Sequence, residues 1–74
     1  MEASEEQLDR IFGLAKEFAD MRGRPMPDVI LALLSSDTLK AYDYDGSGHI
    51  TRLQADAAIG LLERWIEKAG EADA

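Results

Sequence analysis

The chain contains no cysteine and only one histidine among its 74 residues. That excludes a disulfide framework, a thiolate zinc site, a cysteine nucleophile and a multi-histidine metal centre. Serines 4, 35, 36 and 47 have no histidine base placed to activate them, so an enzyme is not expected. Basic residues are scarce: eight Lys and Arg stand against fifteen Asp and Glu, for a net charge of −7. A surface of that sign repels phosphate backbones and anionic lipid, which argues against a nucleic-acid partner. Arg22 and Arg24 together make only a weak basic patch. Most of the acids do no more than solvate a surface, though their sum attracts cations and basic peptides. No apolar run is long enough to span a membrane. The opening MEASEEQ lacks the basic, apolar pattern of a signal peptide, so a cytoplasmic location is expected. Hydrophobic residues nevertheless make up 46% of the chain, too many for a disordered polar tail. One small domain with a modest core is the expectation, and a metal or a partner surface would add to its stability.

Helical periodicity dominates what is present. Ser4-Glu5-Glu6-Gln7 reads as a capping box, in which the serine hydroxyl accepts from the Gln7 amide and the glutamine reaches back. Leu8, Ile11, Phe12, Ala15, Phe18 and Ala19 follow at helical spacing and predict an amphipathic helix to about Met21. Gly23, Pro25 and Pro27 break it. A second helix is predicted from Pro27 or Asp28 through Leu34. It is apolar on nearly every side, so it is either the central buried helix or a helix with one face turned to a partner. Ser35-Ser36-Asp37 offers N-cap residues, where that helix either bends or stops and restarts. The last helix is predicted from about Thr51, again behind a capping box, Thr51-Arg52-Leu53-Gln54. Its broad apolar face includes Leu53, Ala57, Ala58, Leu61, Leu62, Trp65 and Ile66. Gly70 is the expected stop, with Glu71–Ala74 as a frayed tail.

Between these helices lies Asp43-Tyr44-Asp45-Gly46-Ser47-Gly48-His49-Ile50-Thr51-Arg52-Leu53-Gln54. Calcium is a hard cation that takes six to eight oxygen ligands. A short loop supplies them when alternate side chains point inward, and Asp43, Asp45 and Ser47 are oxygen-bearing residues spaced by two. Gly48 permits the sharp turn that wraps the chain round an ion. His49 would contribute its backbone carbonyl rather than its ring, and Thr51 would hold the ion directly or through water.

In Asp43, Asp45, Ser47, Gly48 and the apolar Ile50, with Leu39, Tyr42, Leu53, Ala57 and Ala58 on the flanking helices, the chain resembles the EF-hand family. The resemblance implies an all-α fold with Ca²⁺ bound by Asp43, Asp45, Ser47, His49, Thr51 and residue 54. The family closes its loop with a bidentate glutamate, and this chain has Gln54. Losing a charged, bidentate ligand costs on the order of 2–3 kcal/mol, about a hundredfold in affinity. The expected dissociation constant moves to roughly 10⁻⁴ M, with Mg²⁺ competing. Gln54 has a second use that needs no metal, which is to close the capping box with Thr51.

The family's hands occur in pairs that meet at the residue equivalent to Ile50. The resemblance therefore leaves two arrangements open. Residues 1–34 form a degenerate, metal-free helix–loop–helix half packed against the hand at 35–70, with Met26 opposite Ile50, or two copies of the chain pair their loops as a homodimer. Asp20–Asp28 carries no alternating oxygen ligands, and Arg22 and Arg24 would repel a cation. The functional expectation is a small acidic calcium-binding protein, a weak sensor or regulatory module. In it, metal would change the angle between helices and open an apolar groove of Val29, Leu31, Leu34, Leu61, Leu62 and Trp65 to a basic amphipathic helix. The alternative is a metal-independent scaffold for protein–protein contact or homodimerisation.

Overall fold

A computed structural model describes residues 1–72, and within them the chain is a compact all-helical domain of four helices. Helix α1 spans Glu5–Arg22, α2 spans Met26–Leu34, α3 spans Asp37–Ala41 and α4 spans Arg52–Ala72. The Cα radius of gyration, 11.9 Å, is close to the ~11 Å expected of a folded chain of this length.

Helices α1, α3 and α4 start where a side chain satisfies a first-turn amide. The Ser4 hydroxyl accepts from the Gln7 amide at 3.1 Å, and the Gln7 side-chain oxygen accepts from the Ser4 amide at 2.9 Å. Ser36 caps α3 by accepting from the Leu39 amide, so the second helical stretch stops and restarts rather than bending. Helix α2 begins at Met26, one to two residues earlier than periodicity predicts, because proline is well placed in a first turn that has no donor to lose. Gly70 does not stop α4, which runs on to Ala72. The glycine is exposed, and the missing side chain leaves no gap in the core there. Of the expected frayed tail, residues 73 and 74 lie outside the described residues.

The core is a single cluster built from every helix. Ile11, Leu14, Ala15 and Ala19 of α1 meet Ala55, Ala58, Leu61 and Leu62 of α4, with Val29, Leu33 and Leu39 closing the side. Four alanines in the α1–α4 seam are essentially inaccessible, which lets the two backbones approach closely. The helices run side by side in the same direction. Gln7 of α1 bonds to the first turn of α4, and Phe18 packs on Trp65 two-thirds of the way along, with ring centroids 5.5 Å apart.

The residues named for a metal-opened groove do not share one surface in this structure. Val29, Leu61 and Leu62 are core residues, because α2 and α4 turn these positions toward α1. Trp65 is half-buried against Phe18. Leu8 and Phe12, placed by periodicity on the core stripe of α1, are exposed, as is Leu53 on α4.

Met26 does not oppose Ile50 either; it is the first residue of α2. The segment paired with the loop is Met1–Ala3, immediately before α1. The Ala3 amide donates to the Ile50 carbonyl at 3.0 Å and the Arg52 amide to the Met1 carbonyl at 2.9 Å, forming an antiparallel bridge between Glu2 and Thr51. Ser4–Gln7 and Thr51–Gln54 therefore stand side by side, each a capping box at the head of one long helix. Ala3→Pro removes the donor to Ile50 and is expected to cost about 1 kcal/mol. Thermal unfolding should show it as a fall of about 4–8 °C in Tm.

Candidate metal centre

The loop from Asp43 to Thr51 connects α3 to α4, and nearly all of it is exposed. It leaves α3 through a left-handed turn. The Asp43 amide donates to the Lys40 carbonyl and the Tyr44 amide to the Leu39 carbonyl, a Schellman pattern with Asp43 at φ 63°. The same pattern ends α1, where the left-handed residue is Gly23. Asp43 is the only non-glycine residue with positive φ among those described. An L-residue in this conformation is held at a cost of about 1 kcal/mol, less for the short polar side chains that tolerate it best.

The loop then folds on its own side chains. The Asp45 carboxylate accepts from the Ser47 amide at 2.9 Å, and the Ser47 hydroxyl accepts from the His49 amide at 3.2 Å. Gly46 and Gly48 sit at φ 82° and 90°, and Gly48 makes the turn the sequence assigns to it. The Ser47 hydroxyl, followed by the Ser47 amide, holds the Asp45 carboxyl below its ordinary value of 3.8. The Gly48 amide donates to the Tyr44 hydroxyl at 2.9 Å. Tyr44 is a loop contact that the ligand spacing gave no reason to single out, since its aromatic ring lies partly against the core.

Gln54 closes the far side. Its side-chain oxygen accepts from the Thr51 amide at 2.9 Å, while the Thr51 hydroxyl accepts from the Gln54 amide at 3.1 Å. Its Nε2 donates to the Tyr42 carbonyl at 2.9 Å, across the mouth of the loop. Gln54 is the one buried polar side chain of the described residues, at 7% exposure. Thr51 and Gln54, both candidate ligands, thus already spend an oxygen on backbone amides. Asp56, two residues on, accepts from Gln7 of α1 at 2.8 Å.

Compared with protein-family models, with curated proteins and with solved structures, the chain matches none of them. The likeness to an EF-hand therefore rests on the loop residues themselves.

The donor set suits a hard divalent cation. Asp43 and Asp45 offer carboxylates, Ser47 and Thr51 hydroxyls, and His49 a main-chain carbonyl, in one short loop with no soft ligand. Only two of these groups are anionic. No group of three or more acidic, histidine or cysteine side chains is gathered among the described residues. That fits a weak, partly hydrated ion and does not suit a tight one.

Two predictions follow from Asp43 and Asp45. In metal-free protein, Asp43→Gly should hold or raise Tm, because glycine takes the left-handed turn freely; Asp43→Ala should cost about 1 kcal/mol. Both should lose any stabilisation by calcium, as read by melts with and without the ion. The Asp45 carboxyl, with its folded pKa depressed, adds stability that is present above its ordinary value and is lost as pH falls through the folded one. Side-chain NMR should find Asp45 titrating below 3.8, and Ser47→Ala should return it toward that value.

Proposed function

We propose that the chain is a small acidic calcium-binding protein of the EF-hand kind, with one weak site at Asp43–Gln54 that a cation stabilises rather than switches. The observation that carries this reading is the double role of Gln54. A switching hand needs its closing side chain free until the ion arrives, so that metal draws the outgoing helix toward the loop. Here the amide of Gln54 already ties the first turn of α4 to the end of α3. Calcium entering between Asp43, Asp45 and Ser47 would meet a loop turned in advance by its own hydrogen bonds. It would add charge pairing and little motion. Magnesium would compete, because few anionic ligands separate the two ions.

A second reading, a constitutive protein-interaction module, is favoured by a separate observation. Phe12, Met26, Pro27, Ile30, Leu31 and Leu34 line an open apolar depression between α1 and α2. Leu31 is 66% exposed and Phe12 50% exposed, more than a solitary small domain needs to leave in water. Of the candidate groove residues, Leu31 and Leu34 belong to this surface, which lies apart from the loop. A protein or peptide partner there would bind whether or not the ion was present. The two readings are compatible in one molecule.

The deciding experiment is a calorimetric calcium titration of chelator-stripped protein, with and without millimolar magnesium, on wild type and Gln54→Glu. Wild type should bind one ion with a dissociation constant of roughly 10⁻⁴ M and little change in Trp65 fluorescence. Gln54→Glu should tighten calcium by about 2 kcal/mol. Without metal it should lose on the order of 1–3 kcal/mol of stability, because a carboxylate replaces the donor to the Tyr42 carbonyl. No binding by wild type at millimolar calcium would leave the interaction module as the function.

A further inference from the structure

At the end of the molecule away from the loop, a cleft of about 250 Å³ opens between α1, α2 and α4. Its walls are aromatic and aliphatic: Phe18, Trp65 and Val29. Arg22, Arg24 and Asp28 line it as well. A shallower depression shares Phe18, Arg22 and Trp65 and adds Lys68. Three of the eight basic residues thus gather round one aromatic pair in a chain of net charge −7.

Among the described residues these cations have no ion-pair partner. Among the described residues the ion pairs are Arg10–Glu63 and Lys16–Asp20, both elsewhere. Fifteen acids are available in the chain, and none of the described ones lies within 4.0 Å of Arg22, Arg24 or Lys68. Arg22 also sits in the last turn of α1, where a cation is favoured by the helix dipole. That accounts for one charge and leaves Arg24, which lies beyond the helix, and Lys68 of α4.

We propose that this cleft binds a small monoanionic carboxylate with an aromatic or branched apolar body. The planar fork of arginine matches a carboxylate in bidentate geometry. The faces of Phe18 and Trp65 suit an apolar body seated below it. The volume limits the ligand to on the order of a dozen non-hydrogen atoms, at the small end of ligand sites. Asp28 bears on the charge: with one carboxylate and two arginines lining the cleft, a monoanion is favoured over a dianion such as phosphate. The site is independent of the calcium reading and uses none of its residues.

The probe is 3-phenylpropionate, titrated into the full chain with chelator present, following Trp65, the only tryptophan, by fluorescence together with amide NMR shifts. Saturable one-to-one binding with a dissociation constant of roughly 1 mM or tighter is expected, with shifts centred on Phe18, Arg24, Val29 and Trp65. The neutral analogue 3-phenylpropanamide should bind at least tenfold more weakly. Arg22→Gln with Arg24→Gln should cost tenfold or more while the far-UV spectrum stays unchanged, and Asp28→Asn should tighten binding. Absence of saturation up to about 10 mM would overturn the proposal. Equal binding of the amide, or equal competition by inorganic phosphate, would overturn it too, by reducing the site to an apolar dent or to diffuse attraction of anions.

Discussion

One buried amide holds the loop and the two helices round it in register. Gln54 makes three hydrogen bonds, to the Thr51 amide, from its own amide to the Thr51 hydroxyl, and to the Tyr42 carbonyl. Each is worth about 0.5–1.5 kcal/mol net, and leaving any partner buried and unpaired costs more. The first two bonds fix where α4 begins. The third fixes how far that point lies from the end of α3. Ala55 and Ala58, directly after, can then enter the α1–α4 seam, on which the rest of the core is packed. The equivalent glutamine of α1, Gln7, completes the arrangement from the other side. It closes its own capping box and donates from Nε2 to the Arg52 carbonyl and to Asp56. Two glutamines at the heads of two helices thus cross-brace one junction, and every buried side-chain polar atom there is satisfied.

This bracing bears on what a cation can do. An ion shifts a conformational equilibrium only by its difference in affinity for the two conformations. With Gln54 tied to Tyr42, an open loop would have to break a part-buried hydrogen bond before any ligand moved, which on the proposed reading disfavours the open form. What remains is linkage to folding. At ten times its dissociation constant an ion adds about 1.4 kcal/mol to stability, a useful amount for a domain whose core is built largely from alanine and leucine. The left-handed Asp43 fits this view. Glycine makes the same turn at the end of α1, so the aspartate is better explained by its carboxylate than by its backbone.

Local chemistry was legible in the sequence and long-range pairing was not. Both capping boxes, the cap at Ser36, the turn at Gly48 and the break after Arg22 are set by residues three or four apart, within reach of a pattern. The bond from Gln54 to Tyr42 spans the loop, and no local rule relates a glutamine to a carbonyl so far upstream. The pairing of Met1–Ala3 with Ile50–Arg52 was missed because three residues carry no periodicity. Symmetry drew attention to the break at Met26, yet the better clue was the repeated Ser/Thr-x-x-Gln box, which sets the two helix starts side by side. The candidate groove residues divide between core and surface for a different reason. On a helix apolar nearly all round, hydrophobicity cannot say which face turns inward, so Val29 and Leu31, two residues apart, were treated alike; the first is 2% exposed and the second 66%.

The α1–α4 pair also sets the acidic loop apart from the cluster of Arg22, Arg24 and Lys68. The acidic loop sits at the heads of both helices, and Arg22, Arg24 and Lys68 gather near their ends. Phe18 lies nearly four turns beyond Ser4, roughly 20 Å along the axis. Screening reduces interactions between exposed charges beyond about 8 Å at physiological ionic strength. The cationic end therefore does little to relieve the mutual repulsion of Asp43 and Asp45, and the carboxylates of the loop do little to neutralise the arginines. An alanine-lined seam makes the intervening pair close-packed and stiff, so neither end can reach the other by bending. The fold thereby holds the two proposed sites apart, and a ligand at one end need not disturb the other.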